Sequence, residues 1–247
     1  MRELGDPSAD TVLLVHGIGV SARYFRPLAT ALAADHRVLV PDLPGFGQSP
    51  RPDRPPTVEE LARLLLRLLE LRGAGRATLV GHSMGAQVVA AMARRAPEAV
   101  GGVLLVGPVV DPSARSAPAQ GWRLLRDSFH EPPRVNAVIA SDYVRTGPRW
   151  YSAVLPHMLA FDTSAAVARA DVPVLVVRGQ HDRVASRAWC RALTDTAPQG
   201  ELREVPGTGH VAMATDPGPV SRWVRELRAT DGESGDRQGR ARRGGAT

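Results

Sequence analysis

The sequence Gly-His-Ser-Met-Gly at residues 81–85 constrains the fold of this chain more than any other stretch. An apolar run at residues 77–80 precedes it, and a segment with helical spacing at residues 87–95 follows it. A serine between two glycines on a strand-to-helix turn is typical of a nucleophile elbow, because flanking side chains would collide with the neighbouring strand and helix. The pattern therefore predicts that Ser83 has a strained backbone conformation at the end of a strand.

Apolar runs alternate with helix-like segments along the rest of the chain. Further runs typical of buried strands lie at residues 11–15, 37–40, 102–106, 172–177 and 201–205. Segments with helical spacing lie at residues 24–34, 57–72, 186–196 and 217–228. Such alternation predicts an α/β fold with a mostly parallel central sheet and helices on both faces. Thr57 and Glu60 have the spacing of a capping box at the start of their helix.

One insert interrupts the alternation, between residues 112 and 170. Helical segments are expected in it near residues 121–129, 134–146 and 149–161. The core would then consist of residues 1–111 and 171–229. Residues 230–247 are mainly glycine, arginine and small polar residues, which predicts a disordered tail.

Polar residues follow the apolar strands, at the sheet edge where parallel sheets bind ligands. They are His16, Asp42, Ser83, Asp111, Asp182 and His210. A serine hydroxyl needs a base, and that base needs an acid to orient it. The chain order predicts Ser83 as nucleophile, Asp182 as acid and His210 as base. Asp111 is the alternative acid, and Asp182 could instead pair with Arg178 or Arg183.

Five segments together resemble the α/β-hydrolase fold, and in particular its small serine hydrolases with a helical cap. They are residues 16–19, 42–49, 81–85, 179–182 and 207–210, in the order of that family and spanning nearly the whole chain. The resemblance favours Asp182 over Asp111 as the acid. It also implies that residues 112–170 form a small helical cap, inserted after the sixth strand of that fold, which would roof the site.

The same resemblance assigns an oxyanion hole. One donor would be the backbone N–H of Met84, the residue after the nucleophile. The second would be the N–H of Ile18, with Gly19 as the alternative. His16 and His82 are expected to form structural hydrogen bonds near the site, and Asp42 to brace its loop.

The insert is expected to contribute to the substrate pocket, with Trp150, Met158 and Phe161 as the candidate substrate-binding residues. The chain has only 4% aromatic residues, yet this segment concentrates large apolar side chains: Trp122, Phe129, Tyr143, Trp150, Tyr151, Met158 and Phe161. An apolar pocket lid would use such residues. Packing of the insert onto the sheet would explain them equally well.

A serine nucleophile implies acyl transfer to water. Haloalkane dehalogenases and epoxide hydrolases of this fold have aspartate at the elbow, so Ser83 argues against both. The chain is expected to be a serine hydrolase for an ester, thioester or lactone of a small-to-medium apolar substrate. Carbon–carbon bond hydrolases share the Ser-Met-Gly, but typically have Asn and Gly where this chain has His82 and Ala86. The same fold also occurs in lyases, cyclases and non-catalytic ligand-binding receptors, so these three functions stay open.

Composition limits the partners. The net charge is +6 and every basic residue is arginine, but the arginines are scattered among acids, which indicates coding bias rather than nucleic-acid binding. The polar N-terminus, the lack of a long apolar run and the single cysteine, Cys190, predict a cytoplasmic protein without a membrane partner. No metal-ligand spacing or nucleotide-binding glycine motif occurs, so neither a metal nor a cofactor is expected. A small-molecule substrate is the expected partner, and the oligomeric state stays open.

Overall fold

The computed structural model describes residues 1–111 and 132–227, and a seven-stranded sheet forms the centre of that part of the chain. The strands are β1 (Arg2–Leu4), β2 (Thr11–Val15), β3 (Arg37–Val40), β4 (Ala77–His82), β5 (Val100–Val106), β6 (Val174–Gly179) and β7 (Gly200–Val205). Their order is β1-β3-β2-β4-β5-β6-β7, with β1 antiparallel to β3 and every other pair parallel. The predicted mostly parallel sheet is confirmed.

Helices connect the strands, mostly at the predicted places, although two short ones, Thr163–Val167 and Ala212–Thr215, were not predicted. They are α1 (Arg26–Leu32), α2 (Val58–Leu71), α3 (Met84–Arg95), α4 (Pro133–Ala160), α5 (Thr163–Val167), α6 (Arg187–Thr196), α7 (Ala212–Thr215) and α8 (residues 217–227). Thr57 and Glu60 form the expected capping box on α2. The helix predicted over residues 24–34 is instead a 3₁₀ turn, Ala22–Phe25, followed by α1. Pro27 lies in the first turn of α1, where the missing N–H of proline is tolerated.

Alternate residues of the inner strands, β2 to β6, pack into two separate cores. On β2, Leu13 and Val15 face the core that α2, α3 and α6 cover, whereas Val12 and Leu14 face the core that α1 and α8 cover. Burial on both faces explains why these strands are apolar throughout. Because β2, β4, β5 and β6 are neighbouring parallel strands, their carboxyl ends meet at one edge of the sheet.

The described part of the insert is mostly α4. Gly147 has non-helical angles (φ 70°, ψ 152°) and Pro148 follows it, so α4 consists of a first arm, residues 133–146, and a second arm, residues 148–160. Both arms agree with the predicted segments. The insert follows β5, which is the fifth strand of the described chain and not the sixth as expected. The strand count is lower because only one antiparallel strand, β1, precedes the parallel strands.

Some expectations lie outside the described residues. They are the helix at residues 121–129 with Trp122 and Phe129, and the disordered tail at residues 230–247. In the described part of the chain, no helix is long and apolar enough to cross a membrane.

Candidate active site

Ser83 lies at the turn between β4 and α3 with the strained backbone that the motif predicts. Its φ is +57° and its ψ is −119°, and α3 begins at the next residue. A Cβ on Gly81 would lie 2.2 Å from the carbonyl oxygen of Gly85, and one on Gly85 would lie 2.1 Å from that of Val15. Glycine is therefore required on both sides of the serine, because the turn is pressed against β2 and its own helix.

His210 and Asp182 come together across two loops. Nδ1 of His210 lies 2.9 Å from Oδ2 of Asp182, and both residues are buried. The other oxygen, Oδ1, accepts the N–H groups of Val184 and Ala185, each at 2.8 Å. A carboxylate in this position fixes the proton on Nδ1, which leaves Nε2 of the imidazole as the basic nitrogen.

Asp111, the alternative acid, and Arg178, the alternative partner of Asp182, make other contacts. Asp111 accepts a hydrogen bond from the hydroxyl of Ser186 at 2.9 Å. Arg178 donates to the main-chain oxygen of Asp182 at 2.7 Å and not to its carboxylate. The structure thus places the carboxylate of Asp182, rather than that of Asp111, against the histidine.

Ser83 and His210 line one cavity of about 50 Å³, which has room for only a few water molecules. Its described lining is Gly17, Ile18, Val20, Tyr24, His82, Ser83, Val109, Ile139, Tyr143, Tyr151, Met158, Val184, His210 and Val211. Of the candidate substrate-binding residues, Met158 belongs to it. Trp150 and Phe161 are not among these lining residues. The indole of Trp150 instead lies over Gly45 and beside Arg51, which explains its burial without a substrate.

The two proposed oxyanion donors belong to residues close to Ser83, one next to it in sequence and one lining the same cavity. Met84 is the first residue of α3, where a backbone N–H has no acceptor within the helix. Ile18 lies in the turn after β2 and lines the cavity. A Cβ on Gly17 would lie 2.9 Å from Cβ of Ser83, so this turn approaches the serine directly. The N–H of Gly17 itself donates to a tyrosine hydroxyl, and Gly19 faces the ring of Tyr143, which leaves Ile18 as the better candidate.

A buried hydrogen-bond chain links the two loops that carry Ile18 and His210. The N–H of Gly17 donates to the hydroxyl of Tyr24 at 3.1 Å, and that hydroxyl lies 2.7 Å from Nδ1 of His82. Nε2 of His82 lies 3.0 Å from the carbonyl oxygen of His210, so it must be the protonated nitrogen. Burial lowers the pKa of His82 well below its usual value, and a charge on His210 would lower it further. His82 is therefore a neutral structural residue.

His16 and Asp42 support the same edge of the sheet. Nδ1 of His16 donates to the carbonyl oxygen of Gly17 at 2.8 Å, and its Nε2 accepts the N–H of Leu43 at 2.8 Å. Burial lowers the pKa of His16, so it too is neutral. Asp42 accepts the N–H of Ala22 at 2.8 Å, which braces its loop as expected.

The sequence does not reveal the role of Tyr24, which it places only in a helical segment. No local motif marks this residue, because its partners lie 7 and 58 positions away. Tyr143 and Tyr151 look like the rest of the aromatic residues of the insert, and only the structure separates them from Trp150. Within residues 1–111 and 132–227, no group of three or more His, Cys, Asp or Glu side chains could hold a metal ion.

Comparisons with known proteins agree with the resemblance of the sequence to the α/β-hydrolase fold. A family model described as "Alpha/beta hydrolase family" matches residues 12–223. A protein named putative carbamate hydrolase RutD, from Pseudomonas savastanoi pv. phaseolicola, is 28% identical over 245 residues, covering 89% of this chain and 94% of that protein.

Two solved structures superpose closely on this chain. An esterase from Thermogutta terrifontis has a TM-score of 0.80 at 25% identity, covering 93% of this chain and 92% of that one. The 2-hydroxy-6-oxo-6-phenylhexa-2,4-dienoate hydrolase of Rhodococcus sp. strain RHA1 has a TM-score of 0.75 at 26% identity, covering 90% and 92%. The chain is thus similar both to an esterase and to a dienoate hydrolase.

Proposed function

This chain belongs to the alpha/beta hydrolase family, and we propose that it hydrolyses a neutral carboxylic ester, thioester or lactone with a small apolar acyl group. One observation carries the proposal. Ser83 and His210 line the same apolar cavity, while Asp182 holds the opposite nitrogen of the histidine. A serine, a base and an acid in these relative positions are the parts that acyl transfer requires.

The reaction would proceed through an acyl-enzyme. Oγ of Ser83 attacks the carbonyl carbon as its proton passes to Nε2 of His210, and the histidine then gives that proton to the leaving alcohol. Asp182 remains ionised and stabilises the imidazolium. The N–H groups of Met84 and Ile18 bind the oxyanion of each tetrahedral intermediate. Water, activated by His210, then releases the acid and restores Ser83.

The cavity favours a short acyl group. Its volume of about 50 Å³ is far below the roughly 300–1,000 Å³ of drug-sized ligand pockets. From the insert, Ile139, Tyr143, Tyr151 and Met158 face it. We therefore expect acetyl to butyryl esters to react faster than octanoyl esters.

The described lining of the cavity contains no arginine or lysine side chain, which favours a neutral ester over a carbon–carbon bond substrate. A dienoate, as in the name of the Rhodococcus relative, carries a carboxylate that would need a cationic partner. Among the described lining residues there is no arginine, and the chain contains no lysine. No observation favours a lyase, a cyclase or a receptor.

The test is a series of p-nitrophenyl esters from acetate to octanoate, assayed with the native protein and Ser83→Ala. Removing such a nucleophile costs on the order of a millionfold in kcat in a well-studied serine protease, so turnover should fall to background. Ser221→Ala is the matched control, because Ser221 is similarly buried and bonds to a nearby main-chain oxygen. A p-nitrophenyl carbamate joins the panel because a relative is named for carbamate hydrolysis.

Two results would contradict the proposal. Equal turnover by the native protein and Ser83→Ala would exclude Ser83 as the nucleophile. The second is a native protein that cleaves the dienoate named for the Rhodococcus relative but cleaves no ester. That result would identify the reaction as carbon–carbon bond hydrolysis instead.

A further inference from the structure

The first arm of α4 packs directly on the turn after β2, residues 17–21, which we call the oxyanion turn. Asp142 and Thr146 are one helical turn apart and so project from the same side of the arm. Both are only 3% exposed. They contact the oxyanion turn at two points, although it precedes them by more than a hundred residues.

The first contact is to Gly19. The hydroxyl of Thr146 donates to the carbonyl oxygen of Gly19 at 3.0 Å. Gly19 has φ +82°, and its Cα faces the ring of Tyr143 so closely that a Cβ would lie 2.4 Å from the ring. The arm thus fixes the orientation of the peptide between Gly19 and Val20. It also fixes the position of Gly19, the residue that follows Ile18.

The second contact is to Ser21, the last residue of the oxyanion turn, and to Arg23, two residues beyond it. The carboxylate of Asp142 accepts the hydroxyl of Ser21 at 2.6 Å with one oxygen and the guanidinium of Arg23 at 2.5 Å with the other. A buried carboxylate is tolerated only when its charge is paired and its oxygens are hydrogen-bonded. Here both requirements are met, by Ser21 at the end of the oxyanion turn and by Arg23 two residues beyond it.

Arg51 holds the same arm at its C-terminal residue, Thr146, which is also the residue that contacts Gly19. Its guanidinium donates to the main-chain oxygen of Thr146 at 2.5 Å and lies over the ring of Trp150, 5.8 Å from the centroid. The arm is therefore anchored where it meets Gly19, and its contacts with the oxyanion turn are polar and directional rather than only apolar.

From these contacts we infer that Thr146 and Asp142 are positioning residues, which hold the oxyanion turn so that the Ile18 N–H points at the reacting carbonyl. The inference rests on the proposed function. A main-chain donor stabilises an oxyanion only when it is held in place before the charge develops, and losing one donor costs about a hundredfold or more in rate. The insert thus acts on the rate of the chemical step as well as on the size of the pocket.

Thr146→Val is the direct test, because valine keeps the volume and removes the hydroxyl. We expect kcat for p-nitrophenyl acetate to fall by about tenfold or more, while KM changes by less than about twofold. An alkyl boronic acid, which mimics the tetrahedral intermediate on Ser83, should bind more weakly by a factor similar to the loss in kcat/KM. Thr146→Ser should restore activity, since it keeps the donor.

Val144→Thr is the matched control, because it is the reverse exchange on the same arm at a residue that is 82% exposed. It should have native kinetics. Asp142→Asn is the second variant, and hydrogen exchange measures its effect on the turn directly. Exchange of the amides at residues 18–21 should become faster in Asp142→Asn and Thr146→Val, with α3 unchanged.

The outcomes separate this inference from the proposed function. Native kcat, boronic acid affinity and amide exchange in Thr146→Val would overturn the inference alone. A parallel loss of thermal stability and activity that Thr146→Ser does not restore would also overturn it, because the role would then be general packing. A native protein that forms no acyl-enzyme with any ester would overturn the proposed function and this inference with it.

Discussion

Nδ1 of His210 lies 2.9 Å from Oδ2 of Asp182, while Oδ1 of the same carboxylate accepts two main-chain N–H groups at 2.8 Å. The loop after β6 therefore fixes the rotation of the carboxylate, and the carboxylate fixes the imidazole. The orientation of the base depends on backbone geometry as much as on charge.

Asp182→Asn should abolish most activity without disturbing the loop. Its amide oxygen can keep the N–H groups of Val184 and Ala185, which directs the amide NH₂ at Nδ1 of His210 and favours the wrong tautomer. The same change costs about 10⁴ in kcat in the serine-protease triad. Steady-state kinetics measure the loss, and Asp111→Asn is the control. A larger loss in Asp111→Asn would make Asp111 the acid.

Gly107→Ala should impair catalysis more than an equally strained glycine replacement. Gly107 has φ +54°, and an added Cβ would lie 2.9 Å from Cε1 and Nδ1 of His210. Gly207 has φ +68° but no atom within 4 Å of its added Cβ. Both changes should lower the free energy of unfolding by about 1–2 kcal/mol. Only Gly107→Ala should also lower kcat/KM, by about a hundredfold, because it displaces the base. Equal kinetics in the two variants would refute this.

Tyr24→Phe should destabilise the fold. It leaves the N–H of Gly17 and Nδ1 of His82 without their partner inside the protein, and one unsatisfied buried group costs about 1–3 kcal/mol. Urea unfolding measures the change. Tyr151→Phe removes a hydroxyl from the same cavity without touching this chain of bonds, so it should be milder. If the two variants lose the same stability, the hydrogen-bond chain has no special importance.

Stability should fall as the pH drops through the usual pKa of histidine. The pKa of His82 is lowered from 6.5 by burial, so the unfolded chain binds more protons than the folded one below that pH. The contribution of His82 to the free energy of unfolding is then fully present above about pH 7.5 and decreases below about pH 6.5. Thermal melts from about pH 8 to 5.5 should show a shallower decline in His82→Gln than in the native protein. An equal decline in both proteins would contradict the assignment of His82 as a buried, neutral histidine.

The fold was predictable because its signals are local. Apolar runs at residues 11–15 and 102–106 mark strands buried on both faces, and the capping box at Thr57 marks the start of α2. The elbow glycines indicate the close contact of β4, α3 and β2 from sequence alone. Strand β1 was not predicted, because Arg2 and Glu3 are exposed polar residues and the strand has no apolar pattern.

The rest of the site depends on contacts between distant residues. Arg23 and Asp142 are 119 positions apart, and each is unremarkable in its own segment. Likewise, Trp150 and Met158 look equally suited to a substrate pocket, but in the structure Trp150 packs on Gly45 whereas Met158 lines the cavity. Such choices depend on how the insert docks, which no short pattern records.

The most direct test of the central claim is to trap the acyl group on Ser83. The native protein would be mixed with p-nitrophenyl acetate, quenched in acid within the first turnover, and analysed by intact mass and peptide mapping. We expect one added acetyl group, located on Ser83, and none in Ser83→Ala under the same conditions. An acetyl group on another residue, or product formed with no covalent intermediate when hydrolysis of the acyl-enzyme is slowed at low pH, would contradict covalent catalysis by Ser83.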